Sequence, residues 1–334
     1  MTFGKVKGQA RAARILSGML EGGRVPNALL FTGMDGIGKT LMAVEFARAL
    51  LCAERQGPAA ACGFCSDCLA VDRRIHPDLA LVNSQYQALL EEKEPEKQKI
   101  LHVDTICHVR RDMEMPSMLG RWKIAVIEDA HRMNASAANA LLKNLEEPIP
   151  RSLWILVTSG REQLPRTIPS RCFAVPFVPL AEAAVRAILE DQGVAPERAA
   201  VAAALCEGSA SRALELAAGD YPEALYSGPL AAFQAADSLP REGYLARSQV
   251  EAALFALSQD LRLKHLQGAL PFARVERPLR ELVRLRQALR SNADPKVVLT
   301  LAGLAVESAL RQGPEAPEGA GRSPLAGRSV SSSL

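Results

Sequence analysis

The sequence is poor in aromatic residues, and it has neither long apolar segments nor a strong excess of charge of one sign. Tryptophan, tyrosine and phenylalanine make up 4% of its 334 residues. That is too few to build the aromatic stacking surfaces on which proteins commonly bind single-stranded nucleic acid. A formal net charge of +3 does not by itself indicate a polyanionic ligand, although local basic faces stay possible.

No stretch reaches the roughly 18 uncharged apolar residues that a membrane-spanning helix requires. The N-terminal segment, MTFGKVKGQARAARILSG, lacks the apolar centre of a secretory signal peptide. We therefore expect a cytoplasmic protein. In that reducing compartment its seven cysteines are expected to be thiols or metal ligands rather than disulfides.

Apolar runs that alternate with helical patterns in the first half of the chain predict a parallel α/β sheet. The predicted strands are 28–32, 78–83, 100–103, 123–128, 153–159 and 172–177, and the clearest helices are 8–21 and 135–146. Residues 84–99, which include EEKEPEKQK, are typical of a solvated insertion. From Pro179 onward the patterns are helical only, with breaks expected at prolines such as Pro278.

The chain is longer than one hydrophobic core usually serves. We predict an α/β domain, a small helical domain, a larger helical domain and a disordered tail rich in proline, glycine and serine. The predicted boundaries are 1–177, with a cysteine-rich insertion at 52–68, then 178–222, 223–312 and 313–334.

Residues 33–40, GMDGIGKT, fit the phosphate-loop pattern G-x-x-x-x-G-K-[ST]. The loop stands between a predicted strand and a predicted helix, which is the context that the pattern requires. Its glycines let successive backbone N–H groups turn toward phosphate oxygens, and the helix start favours the same anion. The alternative is a glycine-rich turn kept for its shape alone. The predicted ligands of ATP with Mg²⁺ in this loop are Gly33, Gly36, Gly38, Lys39 and Thr40.

Four cysteines, Cys52, Cys62, Cys65 and Cys68, are spaced C-x9-C-x2-C-x2-C. Two-residue gaps let neighbouring thiolates converge on one tetrahedral Zn²⁺. Because four sulfurs leave no open coordination position, such a site would be structural rather than catalytic. Free or redox-active thiols are the alternative interpretation.

The phosphate loop, the cysteine cluster, HPDL at 76–79, NALLKNLEEP at 139–148 and SRC at 170–172 follow one another in this order. Together they resemble the delta-prime family of bacterial DNA polymerase III clamp-loader subunits, which are AAA+ proteins similar to the gamma/tau motor subunits. The resemblance implies a AAA+ P-loop parallel-sheet domain, a small helical lid domain and an all-α collar domain. It also implies a hetero-pentameric ring with gamma/tau and delta subunits, which loads a sliding clamp onto primed DNA as part of a nucleotidyltransferase holoenzyme.

Arg171, in SRC, matches the family's arginine finger, which points at ATP held by a neighbouring motor subunit. A guanidinium supplied in trans stabilises charge on the transferring phosphoryl group, an effect on the order of 10³ to 10⁵ in rate. Its planar fork suits phosphate oxygens better than a lysine does. Without the resemblance, an ordinary surface salt bridge would be the better interpretation.

Other site residues follow from the resemblance less directly. Thr158 matches a polar sensor near the γ-phosphate, Arg212 matches a lid arginine that senses nucleotide, and Val6 to Gln9 resembles a segment that frames adenine. Glu128 and Asp129 follow strand 123–128, where working relatives carry Asp and then Glu. With the order reversed, Glu128 can still serve a metal shell, but Asp129 is too short as a base, and misplacements of roughly 1 Å can cost on the order of 10²-fold in rate.

The sequence therefore predicts a clamp-loader subunit that binds ATP, lends Arg171 to its neighbour and hydrolyses little or no ATP itself. One alternative is a gamma-like subunit that hydrolyses ATP as a motor. A weaker alternative is an unrelated P-loop module that binds DNA directly, which strong salt-sensitive duplex binding would support.

Overall fold

A computed structural model describes residues 3–57, 60–92, 94, 98, 100–218, 229–240 and 243–311. The chain divides into two compact units, Met1–Asp220 and Tyr221–Leu334. No helix within the described ranges is long and apolar enough to cross a membrane. The tail predicted at 313–334 lies outside the described residues, and the finer division at 178 stays a prediction.

A parallel five-stranded sheet forms the centre of the first unit, as the sequence predicts. Its strands are β1 (Ala28–Thr32), β2 (Leu79–Val82), β3 (Lys123–Ile127), β4 (Ser152–Thr158) and β5 (Phe173–Pro176), in the order β2-β3-β4-β1-β5. Every residue of β3 and β4 is buried. Burial on both faces explains why these strands are continuous apolar runs rather than alternating patterns.

Helices cover both faces of this sheet. They are α1 (Ala10–Glu21), α2 (Lys39–Leu51), α3 (Ser66–Asp72), α4 (Ser84–Glu91), α5 (Val103–Glu114), α6 (Ala135–Glu146), α7 (Glu182–Asp191), α8 (Pro196–Leu205) and α9 (Ala210–Ala218). Leu29 and Phe31 pack in one core with α1, α2 and the last three helices. Ala28 and Leu30 point the other way, into a second core with α5 and α6, because side chains alternate along a strand.

The second unit is helical, as predicted. Its helices are α10 (Pro229–Asp237), α11 (Gly243–Leu266), α12 (Phe272–Arg290) and α13 (Pro295–Arg311). They share one apolar core that includes Val250, Leu257 and Leu285. Pro278, predicted to separate helices, lies inside α12. Proline removes one helical hydrogen bond, but Val275 and Leu282, one turn to either side, are buried and keep the helix on the core.

Two further expectations about local structure were wrong. The predicted strand at 100–103 is a single bridge between Leu101 and Met133, because helix α5 already begins at Val103. The predicted solvated insertion begins with helix α4, in which Gln87 is fully buried. That amide is satisfied by Gln98, the Ile100 carbonyl and the His102 N–H, contacts that a charge pattern does not reveal.

Candidate nucleotide site and metal centre

The phosphate-loop pattern forms the connection between β1 and α2. Gly33, Gly36 and Gly38 have φ values of 149°, 75° and 92°, a region that side chains other than glycine rarely adopt. A Cβ on Gly33 would also lie 2.8 Å from the Phe177 carbonyl oxygen. Gly38 precedes the first residue of α2, so the open N-terminus of that helix faces the loop.

Lys39 lies at the centre of this loop with a side chain only 5% exposed. Its Nζ donates to the carbonyl oxygens of Gly33 at 2.7 Å and Met34 at 2.6 Å. Burial lowers the pKa of Lys39, while the carboxylates of Asp35 and Asp129 oppose that shift. The ammonium is therefore held inside the loop, where it can meet a phosphate.

A cleft of about 580 Å³ opens above the loop within the first unit. The loop residues 35–41, the N-terminal segment 5–7 and helices α7 and α9 line it. Val6, Ile188 and Leu214 give it apolar walls, and Thr40 lies beside Lys39. A cleft with a phosphate-binding floor and apolar walls suits a nucleotide, whose base and phosphates differ in polarity in the same way.

The last helices of the first unit are attached directly to the phosphate loop. The Ala210 N–H, at the start of α9, donates to the Gly36 carbonyl at 2.8 Å. The Ser209 hydroxyl donates to the Asp35 carbonyl at 2.9 Å. The buried Gln9 amide joins the Ile37 carbonyl to that of Val178, where the chain enters these helices. These hydrogen bonds connect the phosphate loop directly to α9 and to the segment that precedes these helices.

The adjacent acids Glu128 and Asp129 differ in whether they line the cleft. Asp129 has left-handed backbone angles, φ 48° and ψ 46°, and lines the cleft with Lys39 and Thr40. A second cavity of about 280 Å³ is lined by both acids, together with Arg74 and Asn83, whereas Glu128 is not among the residues that line the cleft. Burial raises the pKa of Glu128, although a hydrogen bond with Asn83 and the Arg74 charge oppose that shift. The geometry thus favours Asp129 over Glu128 as the acid near bound phosphate.

Thr158 ends β4 beside the loop and is 1% exposed. Its Oγ1 accepts from the Gly160 N–H at 3.1 Å and lies 3.2 Å from Nδ1 of His131. His131 follows Asp129 in a short 3₁₀ turn, and sequence analysis missed it. The separation of 27 residues between these partners leaves no sequence signal.

Arg212, the predicted lid sensor, is not among the residues that line the cleft. Its Nη1 lies 3.6 Å from Glu207 Oε2, and its side chain is partly exposed. Ser211 and Leu214, its neighbours on α9, line the cleft instead. A role for Arg212 in nucleotide sensing stays a prediction.

Arg171 lies at the edge of the sheet where the parallel strands begin, whereas the phosphate loop lies at the edge where they end. It precedes β5, whose first residue, Phe173, is in register with Leu29 near the start of β1, whereas the loop follows Thr32 at the end of β1. Its Nη2 lies 2.7 Å from Glu146 Oε1, and its side chain is 36% exposed. In this chain Arg171 therefore cannot reach a nucleotide held by its own phosphate loop.

The four predicted metal ligands converge. Their Sγ atoms all lie within 4.8 Å of one another. The Cys52–Cys62 distance is 3.6 Å, and the Cys52–Cys65 and Cys62–Cys68 distances are 3.9 Å. A tetrahedron with Zn–S bonds of about 2.3 Å has sulfur–sulfur edges of roughly 3.8 Å. The donor set and its geometry therefore fit one metal ion.

The surroundings of the cysteines favour the thiolate of Cys65 but disfavour those of Cys52 and Cys68. The Cys62 N–H donates to Cys52 Sγ at 3.4 Å, and the Cys65 N–H donates to Cys62 Sγ at 3.3 Å. Burial tends to raise the pKa of Cys65, but hydrogen bonds from Cys68 and Cys62 outweigh it and lower that pKa to about 6. Burial raises the pKa of Cys52 and of Cys68, so a metal ion would have to displace their protons.

Ion pairs attach this cysteine module to the sheet domain. Cys52 directly follows α2, while Cys65 and Cys68 are at the start of α3. Arg48 of α2 pairs with Asp72 at the end of α3, and Asp67 pairs with Arg121 ahead of β3. The phosphate-loop helix and the cysteine module thus share α2.

Comparison with known proteins agrees with this arrangement. The sequence profile of the family described as "DNA polymerase III, delta subunit" matches residues 8–181, just over half of the chain. The chain belongs to this family. Among curated relatives, it is 33% identical over 220 residues to DNA polymerase III subunit delta' of Bacillus subtilis, covering 64% of this chain and 60% of that protein. The match to subunit delta' of Pseudomonas aeruginosa is 37% identical and covers 45% of this chain and 43% of that protein.

The similarity extends to relatives of the tau/gamma type. DNA polymerase III subunit tau of Escherichia coli is 29% identical over 273 residues, covering 80% of this chain but 38% of that protein. The chain thus spans about 60% or less of the length of these curated relatives.

Proposed function

We propose that this chain is a delta-prime-type subunit of a bacterial clamp loader and acts in the cytoplasm. It joins gamma/tau-type and delta-type subunits in a AAA+ ring that loads a sliding clamp onto primed DNA. Within the ring it binds ATP with Mg²⁺, holds one structural Zn²⁺ through Cys52, Cys62, Cys65 and Cys68, and supplies Arg171 to a neighbouring ATP site. Residues 1–177, 178–222 and 223–312 serve as P-loop domain, lid and collar.

The position of Arg171 carries this proposal. It lies on the sheet edge away from its own phosphate loop, it is partly exposed, and it is already oriented by Glu146. An arginine placed in this way has no nucleotide of its own to serve. Another subunit docked on that edge would bring ATP within its reach, where a guanidinium stabilises the transferring phosphoryl group.

Weak hydrolysis by this chain follows from the acids beside its own phosphate loop. Glu128, the longer acid, lines the second cavity and not the cleft that contains Lys39. Asp129 faces the cleft, but its side chain is one methylene shorter than the glutamate at this position in working relatives. Lys39 and Asp129 are therefore suited to bind ATP·Mg²⁺, whereas the activation of an attacking water lacks a well-placed base.

An exposed apolar face on the second unit supports assembly. Leu230 and Phe233 of α10 are 70% and 62% exposed. Val297, Leu301 and Leu304 form an exposed stripe along α13, whose opposite side is already buried in the unit's core. A helix that is apolar on all sides is normally covered, and a collar packed against other subunits would cover it.

A gamma-like ATP-hydrolysing motor is the second candidate, because the phosphate loop is intact and Lys39 lies in the cleft. Phosphate release by the purified chain separates the two functions. The delta-prime proposal expects negligible turnover by the chain alone and co-purification with gamma/tau and delta subunits. Fast turnover that Lys39→Ala abolishes and partners do not change supports the motor instead.

A further inference from the structure

Glu146 is the carboxylate that holds Arg171 in the described structure. It is the last residue of α6, and its Oε1 lies 2.7 Å from Arg171 Nη2. The other terminal nitrogen of Arg171, Nη1, donates to the Thr167 carbonyl at 3.1 Å and to the Ser170 hydroxyl at 3.4 Å. Two separate segments of the chain therefore hold the same guanidinium.

The helix that carries Glu146 is itself fixed. Leu141 and Leu145 of α6 are buried in the core beneath the sheet, and Asn134 caps the helix by accepting from the Ala137 N–H at 2.8 Å. Glu146 thus extends from a rigid support, whereas Thr167 and Ser170 belong to the irregular segment before β5. Its carboxylate is the contact that links Arg171 to a packed element.

An exposed arginine without such a link samples many rotamers and must order itself whenever it meets a phosphate. Exposed ion pairs in general contribute little to stability, so the Glu146–Arg171 pair is poorly explained as a device for folding. It is better explained by geometry, because a trans-acting group contributes to catalysis only when it is placed to within a fraction of an ångström.

We propose that Glu146 is a positioning residue for Arg171. It holds one edge of the guanidinium so that the remaining N–H groups face a triphosphate bound by the neighbouring subunit. This inference rests on the proposed function, since it assigns to Glu146 a role in the trans site that Arg171 would complete. Glu146 does not itself touch the nucleotide.

The adjacent Glu147 is a matched control. It is an exposed carboxylate one residue further along the same helix end, where its N–H donates to the Lys143 carbonyl at 2.9 Å. Within the described residues it forms no ion pair with Arg171. Glu146→Gln and Glu147→Gln remove the same charge from the same region, so they differ in the contact with Arg171.

The test measures ATP turnover by the assembled ring, with clamp and primed DNA, for Glu146→Gln, Glu147→Gln, Arg171→Ala and the Glu146→Gln/Arg171→Ala double variant. We expect Glu146→Gln to lower kcat roughly fivefold with an unchanged KM for ATP, and Glu147→Gln to match the wild type. The double variant should equal Arg171→Ala alone, because the two residues act through one group. Glu146→Asp, which keeps the charge, should recover part of the loss.

Turnover by Glu146→Gln at or above the wild-type rate overturns the proposal, as do equal losses for Glu146→Gln and Glu147→Gln. Additive losses in the double variant also overturn it, because Glu146 would then act elsewhere. If Arg171→Ala itself leaves turnover unchanged, the trans role of Arg171 in the proposed function fails. Loss with Arg171→Ala but not with Glu146→Gln removes only the positioning role.

Discussion

At the scale of single residues, the turn after β3 places one of two adjacent acids beside the candidate nucleotide cleft. Asp129 takes left-handed backbone angles, which aspartate tolerates better than most residues. Asp129 lines both the cleft with Lys39 and the cavity with Arg74, whereas Glu128 lines the cavity with Arg74 and not the cleft. We therefore expect substitutions of Asp129 and of Glu128 to differ in their effects on metal binding and hydrolysis.

The first prediction concerns Mg²⁺. Asp129→Asn should shrink the gain in ATP affinity that Mg²⁺ provides, because the variant loses a carboxylate that lines the cleft together with Lys39. Without Mg²⁺ the same variant should bind ATP at least as tightly as the wild type, since a negative charge near the phosphates is gone. Titration of a fluorescent ATP analogue with and without Mg²⁺ measures both. Glu128→Gln is the control, and an equal effect there contradicts the assignment.

The second prediction concerns pH. The pKa of Glu128 is raised by burial. The folded chain therefore favours the protonated form of this side chain over the carboxylate. That preference stabilises the fold below the unfolded pKa and is lost as pH rises through the folded pKa. Glu128→Gln should therefore raise the thermal unfolding temperature at pH 7.5, and the gain should vanish near pH 4. Melting curves of the variant and the wild type at both pH values measure this difference. If the gain in unfolding temperature persists at pH 4, the buried charge of Glu128 is not the cause of the gain.

At the scale of elements, α2 connects the phosphate loop to the cysteine module. The loop ends at Gly38, α2 begins at Lys39, and Cys52 follows its last residue. Arg48 pairs with Asp72 and so fixes α3 against the same helix. Metal binding should accordingly order the segment after α2 without taking part in phosphate chemistry.

The third prediction is that each chain binds about one zinc ion and that the Cys65→Ser/Cys68→Ser variant loses it. Four thiolates at this spacing complete a tetrahedral shell, and two do not. Elemental analysis gives the metal content, and limited proteolysis after residue 52 should show the segment opening as the metal leaves. Cys107→Ser, outside the cluster, should keep the metal. A metal-free wild type that resists proteolysis equally well would rule out the structural site.

The fourth prediction concerns the contact between the phosphate loop and α9. A Cβ on Gly36 would lie 2.2 Å from Ser209 Oγ and 2.8 Å from Ser211 Cβ. Gly36→Ala should therefore cost at least about 1 kcal/mol more stability than the positive φ alone explains and should weaken ATP binding. Gly23→Ala is the control, since Gly23 has φ +62° and nothing within 4 Å of an added Cβ. Equal losses in the two variants would show that α9 does not press on the loop.

The sequence predicts well what local chemistry determines. Helix α6 is predicted at 135–146 and spans Ala135–Glu146, because Asn134 caps it and its apolar residues repeat with helical spacing. The phosphate loop and the four cysteines are recognisable from spacing alone. The sequence does not predict features that depend on contacts between distant residues. Among them are the burial of Gln87, the position of Asp129 beside the cleft and the contact of His131 with Thr158.

At the scale of the whole molecule, the proposed function depends on contacts with other subunits. The chain has an intact phosphate loop at one edge of the sheet and an exposed, oriented arginine at the other. A subunit arranged in this way can bind one nucleotide and act on another, held by a neighbour. Its own hydrolysis and its effect on that neighbour are therefore separate quantities.

The most direct measurement is ATP turnover by a reconstituted assembly that contains either the wild-type chain or Arg171→Ala. The account predicts that Arg171→Ala assembles normally and keeps the wild-type unfolding temperature to within a few degrees. It also predicts that turnover at the site which Arg171 serves falls by a factor on the order of 10³. Unchanged turnover by a fully assembled Arg171→Ala ring would contradict the central claim that this chain acts on its neighbour's nucleotide.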